Sequence, residues 1–154
     1  MIVSFDTNIL VYATASLPEP KALRAYDLVG RAMQSGLAIL LLQTLAEFAN
    51  VAIRKAGIPV EDIRRTIDAW RAVLPVQAAD QEDLTAALEA VKVHRLPFWD
   101  AMLCASAQRA GVRCLLTEDL QDGFILQSVR IVNPFKQAND RLIDEVLPPA
   151  AARR

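Results

Sequence analysis

The amino-acid sequence predicts a single three-layer α/β/α domain with a short, mostly parallel central sheet, and three observations support this. Short apolar segments alternate with helical patterns along the chain, which is typical of a parallel sheet covered by helices on both faces. The chain has 154 residues, and 53% of them are hydrophobic, which is enough for one continuous core. No internal repeat, flexible linker or low-complexity segment divides the sequence. We therefore expect one compact domain.

The expected strands are short apolar segments bounded by polar or turn residues. The first ends at Asp6, where a polar turn or a helix start follows. The second is apolar on both faces, as buried parallel strands tend to be. The five segments are residues 2–5, 38–42, 74–77, 112–117 and 129–132.

The expected helices are marked by proline, glycine and capping residues at their ends. Pro20 and Pro59 are placed to open helices, and Asp80 is placed to cap one. Gly36 and Gly111 are placed to end helices. Two further helices are expected over residues 43–56 and 98–110. Apolar residues recur at helical spacing in two stripes, which are Leu23, Tyr26, Val29 and Met33, and Leu84, Ala87, Leu88 and Val91.

The two ends of the chain carry different expectations. We expect the domain to cover residues 1–134 and residues 135–154 to be a C-terminal extension or tail that frays. The N-terminus has no basic segment of the kind that opens a secretory signal, and the longest aliphatic run, residues 37–42, is too short to cross a bilayer. A cytoplasmic location without a membrane partner is therefore expected.

Charge and composition exclude several classes of protein. A net charge of −1 and a pI near 5.8 argue against nucleic-acid binding by bulk charge, so any such binding needs a local basic patch. The pairs Arg54–Lys55 and Arg64–Arg65 are the first candidates for phosphate contacts, although they also suit solvated helix faces. Cys104 and Cys114 fit no zinc or redox motif, and the chain has one histidine. A bound metal would therefore have oxygen ligands.

Four acidic residues follow apolar segments at what we expect to be one edge of the sheet, where open α/β sheets place their ligand chemistry. Converging carboxylates repel one another, which raises their pKa values unless a cation neutralises them. Such oxygen-only clusters suit Mg²⁺ or Mn²⁺, which keep several waters. The four residues are Asp6, Glu47, Asp100 and Asp119.

Each acid also has a purely structural interpretation. Thr44 and Glu47 have capping-box spacing, so Glu47 could bind the backbone of Thr44. Asp6 suits an ordinary helix cap, and Asp100 near a helix start complements the helix dipole. Asp119 lies in a segment with turn chemistry. The functional interpretation depends on all four acids occurring together.

The motifs that carry these acids resemble the PIN domain, specifically the VapC-type toxin of toxin–antitoxin pairs. Four segments resemble it in the family's order and together span most of the chain. They are residues 2–10 (Ile-Val-Ser-Phe-Asp-Thr-Asn-Ile-Leu), 43–48 (Gln-Thr-Leu-Ala-Glu-Phe), 97–101 (Pro-Phe-Trp-Asp-Ala) and 115–123 (Leu-Leu-Thr-Glu-Asp-Leu-Gln-Asp-Gly).

The resemblance implies a PIN-like nuclease domain over residues 1–134, acting as an endoribonuclease with Mg²⁺, or alternatively Mn²⁺. Asp6 and Asp100 would be direct metal ligands, and Glu47 and Asp119 would bind the metal directly or through water. Asn8 and Thr117 match accessory positions that orient substrate or water, and Asp122 matches an acidic position found in only some members. RNA would be hydrolysed by a metal-activated water, and the expected partners are a cognate antitoxin protein and a second copy of the chain in a homodimer.

A different class of function remains open. The same scaffold is compatible with a non-catalytic binding module whose acidic pocket docks a basic segment of a partner. The complete set of four acids favours the enzyme. An aspartyl phosphatase built on Asp6 is disfavoured, because position 8 is Asn where a second acid is needed.

Overall fold

A computed structural model describes residues 1–149, which form a mixed α/β domain. The strands are β1 (Val3–Phe5), β2 (Leu40–Leu41), β3 (Val76–Gln77), β4 (Cys114–Leu116), β5 (Ile125–Leu126) and β6 (Val129–Val132). The helices are α1 (Thr7–Ala13), α2 (Pro20–Ser35), α3 (Leu42–Arg54), α4 (Val60–Arg71), α5 (Gln81–His94), α6 (Phe98–Arg109) and α7 (Asp140–Val146), with a 3₁₀ turn at Gln137–Asn139.

The central sheet is mostly parallel and has the strand order β1-β4-β6-β5. Strand β4 pairs in parallel with both β1 and β6, and only β5 runs antiparallel, against β6. Strands β2 and β3 form a second parallel ladder, which is joined to β1 by a bridge between Val3 and Ala38. Because β1, β4 and β6 are parallel and in register, their carboxyl ends meet at one edge of the sheet.

Helices cover both faces of the sheet, which gives the three layers predicted from the sequence. Side chains alternate across a strand, so Phe5 and Leu116 pack into one apolar cluster with α1 to α4 and α7. Leu115 and Ile131 pack into the other, with α5 and α6. The α/β/α prediction is confirmed.

Most element boundaries agree with the sequence prediction, because caps and stop signals act locally. Pro20 is the first residue of α2, Gly36 ends it in a left-handed conformation at φ +66°, and Asp80 caps α5 through a complete capping box. The segment after Asp6 is a complete helix, α1, where the sequence left a turn or a helix start open. The antiparallel strand β5 was not predicted.

The prediction that the apolar stripes of α2 and α5 face the core is wrong for the large residues at the start of each stripe. Leu23 and Tyr26 are exposed, whereas Ala22, Ala25 and Leu28 face the core. In the same way, Leu84 and Leu88 are exposed on α5, whereas Ala87 and Ala90 are buried. Both helices carry two apolar faces, and the face with the smaller residues packs inward, which allows closer approach to neighbouring elements.

The prediction that the chain frays after Pro134 is wrong for the segment that the structure describes. Helix α7 places Ile143, Val146 and Leu147 in the same apolar cluster as β1, with at most 3% of each side chain exposed. Arg24 and Arg31 of α2 hold α7 by ion pairs with Asp140 and Asp144. The end of the predicted tail, residues 150–154, lies outside the described residues.

Cys104 and Cys114 are both buried and free of any disulfide. In the described part of the chain, no helix is both long and apolar enough to cross a membrane.

Candidate active site

Asp6 lies at the carboxyl end of β1 and is also the N-cap of α1. Its backbone N–H donates to the carbonyl of Leu116 at 2.9 Å, which extends the register with β4. Its Oδ1 accepts from the backbone N–H of Thr7 at 2.7 Å, as a helix cap does. The structural interpretation of Asp6 is therefore correct, and the same geometry fixes its other oxygen at the sheet edge.

A network of side chains links Asp6 to Asp119. The Thr117 hydroxyl donates to Asp6 Oδ2 at 2.7 Å and accepts from the backbone N–H of Asp119 at 3.1 Å. The Asn8 amide Nδ2 donates to Asp119 Oδ2 at 2.9 Å and approaches Thr117 Oγ1 at 3.3 Å and Asp6 Oδ2 at 3.5 Å. Asn8 and Thr117 thus position both carboxylates, one from β1 and one from the loop after β4.

Glu47 is held by two residues that the sequence analysis did not assign to the site. Its Oε2 accepts from the Thr7 hydroxyl at 2.8 Å, and its Oε1 accepts from the Gln43 amide at 3.0 Å. Gln43 also donates to the backbone carbonyl of Trp99 at 3.1 Å, which ties α3 to the start of α6. The i,i+4 spacing of Gln43 and Glu47 was a signal for their contact. No local signal pointed to Thr7.

The capping-box interpretation of Glu47 is wrong. Helix α3 begins at Leu42, so Thr44 lies inside the first turn and is not the cap. The buried Thr44 hydroxyl has no hydrogen-bond partner among residues 1–149. Glu47 therefore bonds to Thr7 and Gln43 and does not cap α3.

Asp100 lies in the first turn of α6, as the helix-dipole interpretation expects. Two other acids act on its pKa. Burial raises the pKa of Asp100, and the negative charges of Asp119 and Glu47 raise it further. Burial is also the largest cause that raises the pKa of Asp6, with Asp119 and Glu47 adding to it, although the Thr117 and Thr7 hydrogen bonds oppose the shift. Asp119 and Glu47 therefore lie within electrostatic range of both Asp6 and Asp100.

Cys104 is close to the same acids. Burial raises the pKa of its thiol to about 12, and the charges of Asp100 and Asp6 contribute to the shift. A thiol with this pKa stays protonated at neutral pH in the metal-free protein, so it is a poor nucleophile.

The donor set matches the chemistry of a hard divalent cation. It consists of carboxylate, hydroxyl and amide oxygens, and no Lys or Arg contributes to the shifts of Asp6 and Asp100. The buried Asn8 Oδ1 accepts no hydrogen bond from residues 1–149. Within that range, no three His, Cys, Asp or Glu side chains lie close enough together to hold one ion. Mg²⁺ takes only one or two carboxylates directly and keeps several waters, so the residues fit such an ion.

The raised pKa values of Asp6 and Asp100 give a stability prediction for the metal-free protein. A raised carboxyl pKa means that folding favours the protonated form, so this contribution is present at low pH and is lost as pH rises through the folded-state pKa. We expect Asp100→Asn in a chelator at neutral pH to raise Tm, and the gain should be modest because the side chain is only partly buried and solvent screens its charge.

Thermal unfolding across pH tests this expectation. The gain should shrink as pH falls into the ordinary carboxyl range, where Asp100 of the wild type is itself protonated. The exposed Glu89→Gln is the matched control and should change Tm little at any pH. An Asp100→Asn variant less stable than the wild type at neutral pH would contradict the electrostatic account.

Asp122 lies apart from this network and has a structural role. Its Oδ1 accepts from the backbone N–H of Asn133 at 2.8 Å and from Asn139 Nδ2 at 2.9 Å, and its Oδ2 pairs with Lys136 Nζ at 3.2 Å. Burial alone would raise the pKa of Asp122, but these donors outweigh it and lower the pKa. Asp122 thus ties the loop after β4 to the C-terminal segment.

The sequence matches the family model of the PIN domain over residues 3–124, which is well over half of the chain. The chain belongs to the PIN domain family. The match includes all four predicted acids and both accessory polar residues.

Solved structures support the same fold. The chain is similar to a toxin–antitoxin complex from Klebsiella pneumoniae, with 20% identity, a TM-score of 0.63 and coverage of 87% of this chain and 98% of that one. It is similar to VapBC2 from Rickettsia felis bound to a DNA fragment from its promoter, with 17% identity, a TM-score of 0.61 and coverage of 85% and 97%. VapC20 of Mycobacterium tuberculosis, described as a sarcin-ricin loop cleaving toxin, matches with 17% identity, a TM-score of 0.56 and coverage of 73% and 86%. No curated protein sequence matches the chain significantly.

Proposed function

We propose that this protein is a metal-dependent endoribonuclease and the toxin of a type II toxin–antitoxin pair. One observation carries the proposal: a chain of the PIN family holds Asp6 and Asp119 in one hydrogen-bonded network with Asn8 and Thr117. Glu47 and Asp100 lie within electrostatic range of that network. The complete acid set, with Asp6 and Asp119 after two paired parallel strands and Glu47 and Asp100 on helices, favours catalysis over docking alone.

Each residue has a specific task in this proposal. Asp6 and Asp100 would hold Mg²⁺ or Mn²⁺ directly, and Glu47 and Asp119 would hold it through water. When bound, the ion supplies a polarised water and stabilises charge on the phosphate. Asn8 and Thr117 orient water or phosphate through their hydrogen-bonding groups. The leaving group is the 3′-oxygen, which gives a 5′-phosphate product.

The RNA backbone needs cations near the acidic pocket, because the pocket itself repels phosphate. Arg64 and Arg65 pair with Asp68 and Asp62 of their own helix, at 3.7 and 2.5 Å. Arg54 and Lys55, at the end of α3, make no ion pair within residues 1–149. They are therefore the better candidates to hold the RNA. Unpaired RNA is the expected substrate, since an RNA duplex offers side chains little to recognise.

The proposed partners are a cognate antitoxin and a second copy of the chain, in the cytoplasm. The antitoxin is supported by the toxin–antitoxin complexes among the structures with this fold. The homodimer is supported by exposed apolar residues such as Leu42 and Trp99, since Trp99 is 63% exposed. Light scattering of the purified chain, alone and with the product of an adjacent small reading frame, tests both partners.

A metal-binding experiment distinguishes the nuclease proposal from the docking-module alternative. We expect Mn²⁺ at a hundredfold excess over Kd to stabilise the wild type by about 2.7 kcal/mol and so to raise its Tm, because a ligand that binds only the folded state stabilises it. Asp6→Asn should remove most of this shift. A wild-type Tm that does not respond to Mn²⁺ or Mg²⁺ would favour the docking module, whereas a basic peptide that raises Tm in place of metal would identify its ligand.

A further inference from the structure

Glu118 lies between Thr117 and Asp119 of the candidate site, and the proposed reaction gives it no task. Its carboxylate is nevertheless held at both oxygens. Oε1 accepts from the Tyr12 hydroxyl at 2.6 Å, and Oε2 pairs with the Lys21 ammonium. Only 19% of the Glu118 side chain is exposed, so solvent screens these bonds less than it screens a fully exposed ion pair.

The groups that hold Glu118 are themselves fixed by packing. Lys21 Nζ lies 5.4 Å from the ring centroid of Tyr12 and 5.2 Å from that of Phe135, within the range of a cation–π contact. The Tyr12 and Phe135 rings meet edge to face, with centroids 5.4 Å apart and an interplanar angle of 83°. These four residues, called the Glu118 cluster below, join α1, α2, the loop after β4 and the segment after β6.

The loop after β4 has few backbone hydrogen bonds to hold it. Backbone pairing continues to Thr117, whose N–H donates to the Val132 carbonyl at 3.1 Å. The N–H groups of Glu118 and Asp119 donate to no backbone carbonyl within residues 1–149, and Asp119 is exposed. A segment with so few backbone bonds opens easily. The position of the Asp119 carboxylate therefore depends on side-chain contacts of the loop.

Helix α1 holds this loop at two points. Asn8 donates to Asp119 Oδ2 at 2.9 Å, and Tyr12 donates to Glu118 Oε1. Asn8 and Tyr12 are four residues apart, so they lie one turn apart on the same face of α1. The bond from Asn8 alone would leave the loop free to turn about that contact. The second bond, one helical turn away, removes this freedom and fixes the direction of the Asp119 side chain.

We propose that Glu118 is a positioning residue, whose bonds to Tyr12 and Lys21 fix the loop after β4 so that Asp119 stays within reach of an ion held by Asp6. The inference rests on the proposed function for the ion and adds a residue to the same site. Removal of outer residues that orient the groups around a metal typically weakens metal affinity by about 10–100-fold. Glu118 therefore contributes to metal affinity without contacting the metal.

The Mn²⁺ affinity of the full chain, measured from the electron paramagnetic resonance signal of the free ion, is the first test. We expect Glu118→Ala to weaken Mn²⁺ binding about tenfold. Tyr12→Phe, which removes the hydroxyl and keeps the ring, should cause a smaller loss. Glu118→Gln should recover part of the affinity, because its amide oxygen can still accept from Tyr12. Glu145→Ala, which removes an exposed ion-paired carboxylate from α7, is the matched control and should bind Mn²⁺ like the wild type.

Amide hydrogen exchange of the metal-free protein, followed by NMR, is the second test. The Asp119 N–H donates to Thr117 Oγ1 at 3.1 Å, so its exchange reports opening of the loop. We expect Glu118→Ala to speed exchange at Asp119 about tenfold, because local opening becomes easier when the bonds to Tyr12 and Lys21 are lost. The amide of Leu115 in the buried strand β4 is the internal control, since its exchange reports the stability of the whole fold.

Wild-type Mn²⁺ affinity together with unchanged Asp119 exchange in folded Glu118→Ala would overturn the proposal. Equal acceleration of exchange at Asp119 and Leu115 would also overturn it, because Glu118 would then only stabilise the fold. If Glu118→Ala is unfolded, Tyr12→Phe decides by the same two measurements. A wild type that binds no Mn²⁺ or Mg²⁺ would refute the proposed nuclease, and Asp119 exchange would still show whether Glu118 positions the loop.

Discussion

Asp6→Asn is expected to abolish RNA cleavage and to leave the protein folded. The substitution removes the charge that would hold the metal, and loss of such an electrostatic contribution costs on the order of a hundredfold or more in rate. The fold should survive, because Asn caps a helix about as well as Asp and its side-chain oxygen can still accept from the Thr7 N–H. Cleavage of unpaired RNA in Mg²⁺ and Mn²⁺, with thermal unfolding of the same samples, measures both effects.

Asp122→Ala is the matched control for Asp6, since both acids lie in motifs that resemble the family's acidic positions. Its carboxylate accepts from Asn133 and Asn139 and pairs with Lys136. Leaving such partly buried donors unsatisfied costs about 1–3 kcal/mol, so we expect a lower Tm with wild-type cleavage per folded molecule. RNA cleavage by purified Asp6→Asn at the wild-type rate would refute the assignment of the site, and loss of cleavage by folded Asp122→Ala would extend the site to Asp122.

Removal of residues 135–154 is expected to leave no folded protein. The deletion exposes the core that Ile143, Val146 and Leu147 cover. Burial of each of these side chains contributes about 1.5–3 kcal/mol, so their combined loss is comparable to the total stability of a typical domain, about 5–15 kcal/mol. Circular dichroism and proteolysis of the truncated chain measure the outcome.

A point substitution in α7 removes only part of the same core contacts, so its loss of stability can be measured. Ile143→Ala should cost about 2–5 kcal/mol, because it removes buried volume from a filled core. Arg141→Ala, on the exposed face of the same helix, should change stability by less than about 0.5 kcal/mol. A truncated chain that unfolds cooperatively at the wild-type Tm would show that α7 does not stabilise the domain.

Local signals in the sequence account for the layer architecture and for most helix ends. Pro20, Gly36 and Asp80 act within one helical turn, so their roles could be predicted from neighbouring residues alone. Asp6 and Asp119 could be found for a related reason, because a polar residue shortly after a buried strand lies at the sheet edge whatever the rest of the chain does. Asp6 after β1 is the simplest case.

The inward face of α2 and the packing of α7 could not be predicted in this way. Leu23 and Tyr26 are as periodic as the residues that are buried, and only the neighbouring elements determine which face packs inward. The short apolar pattern of α7 is weak by itself, and Ile143 and Leu147 are buried because α2 and β1 leave apolar surface for them to cover.

The sequence by itself determined the α/β/α class, the family motifs and which acids stand at strand and helix ends, because those features depend on hydrophobic alternation and capping over a few residues. The tertiary structure alone decided how the acids are held. Thr7 bonds to Glu47 across 40 positions and Asn8 bonds to Asp119 across 111. Contacts at such separations exist only after the strands pair in register and the helices close over them, so no local pattern encodes them.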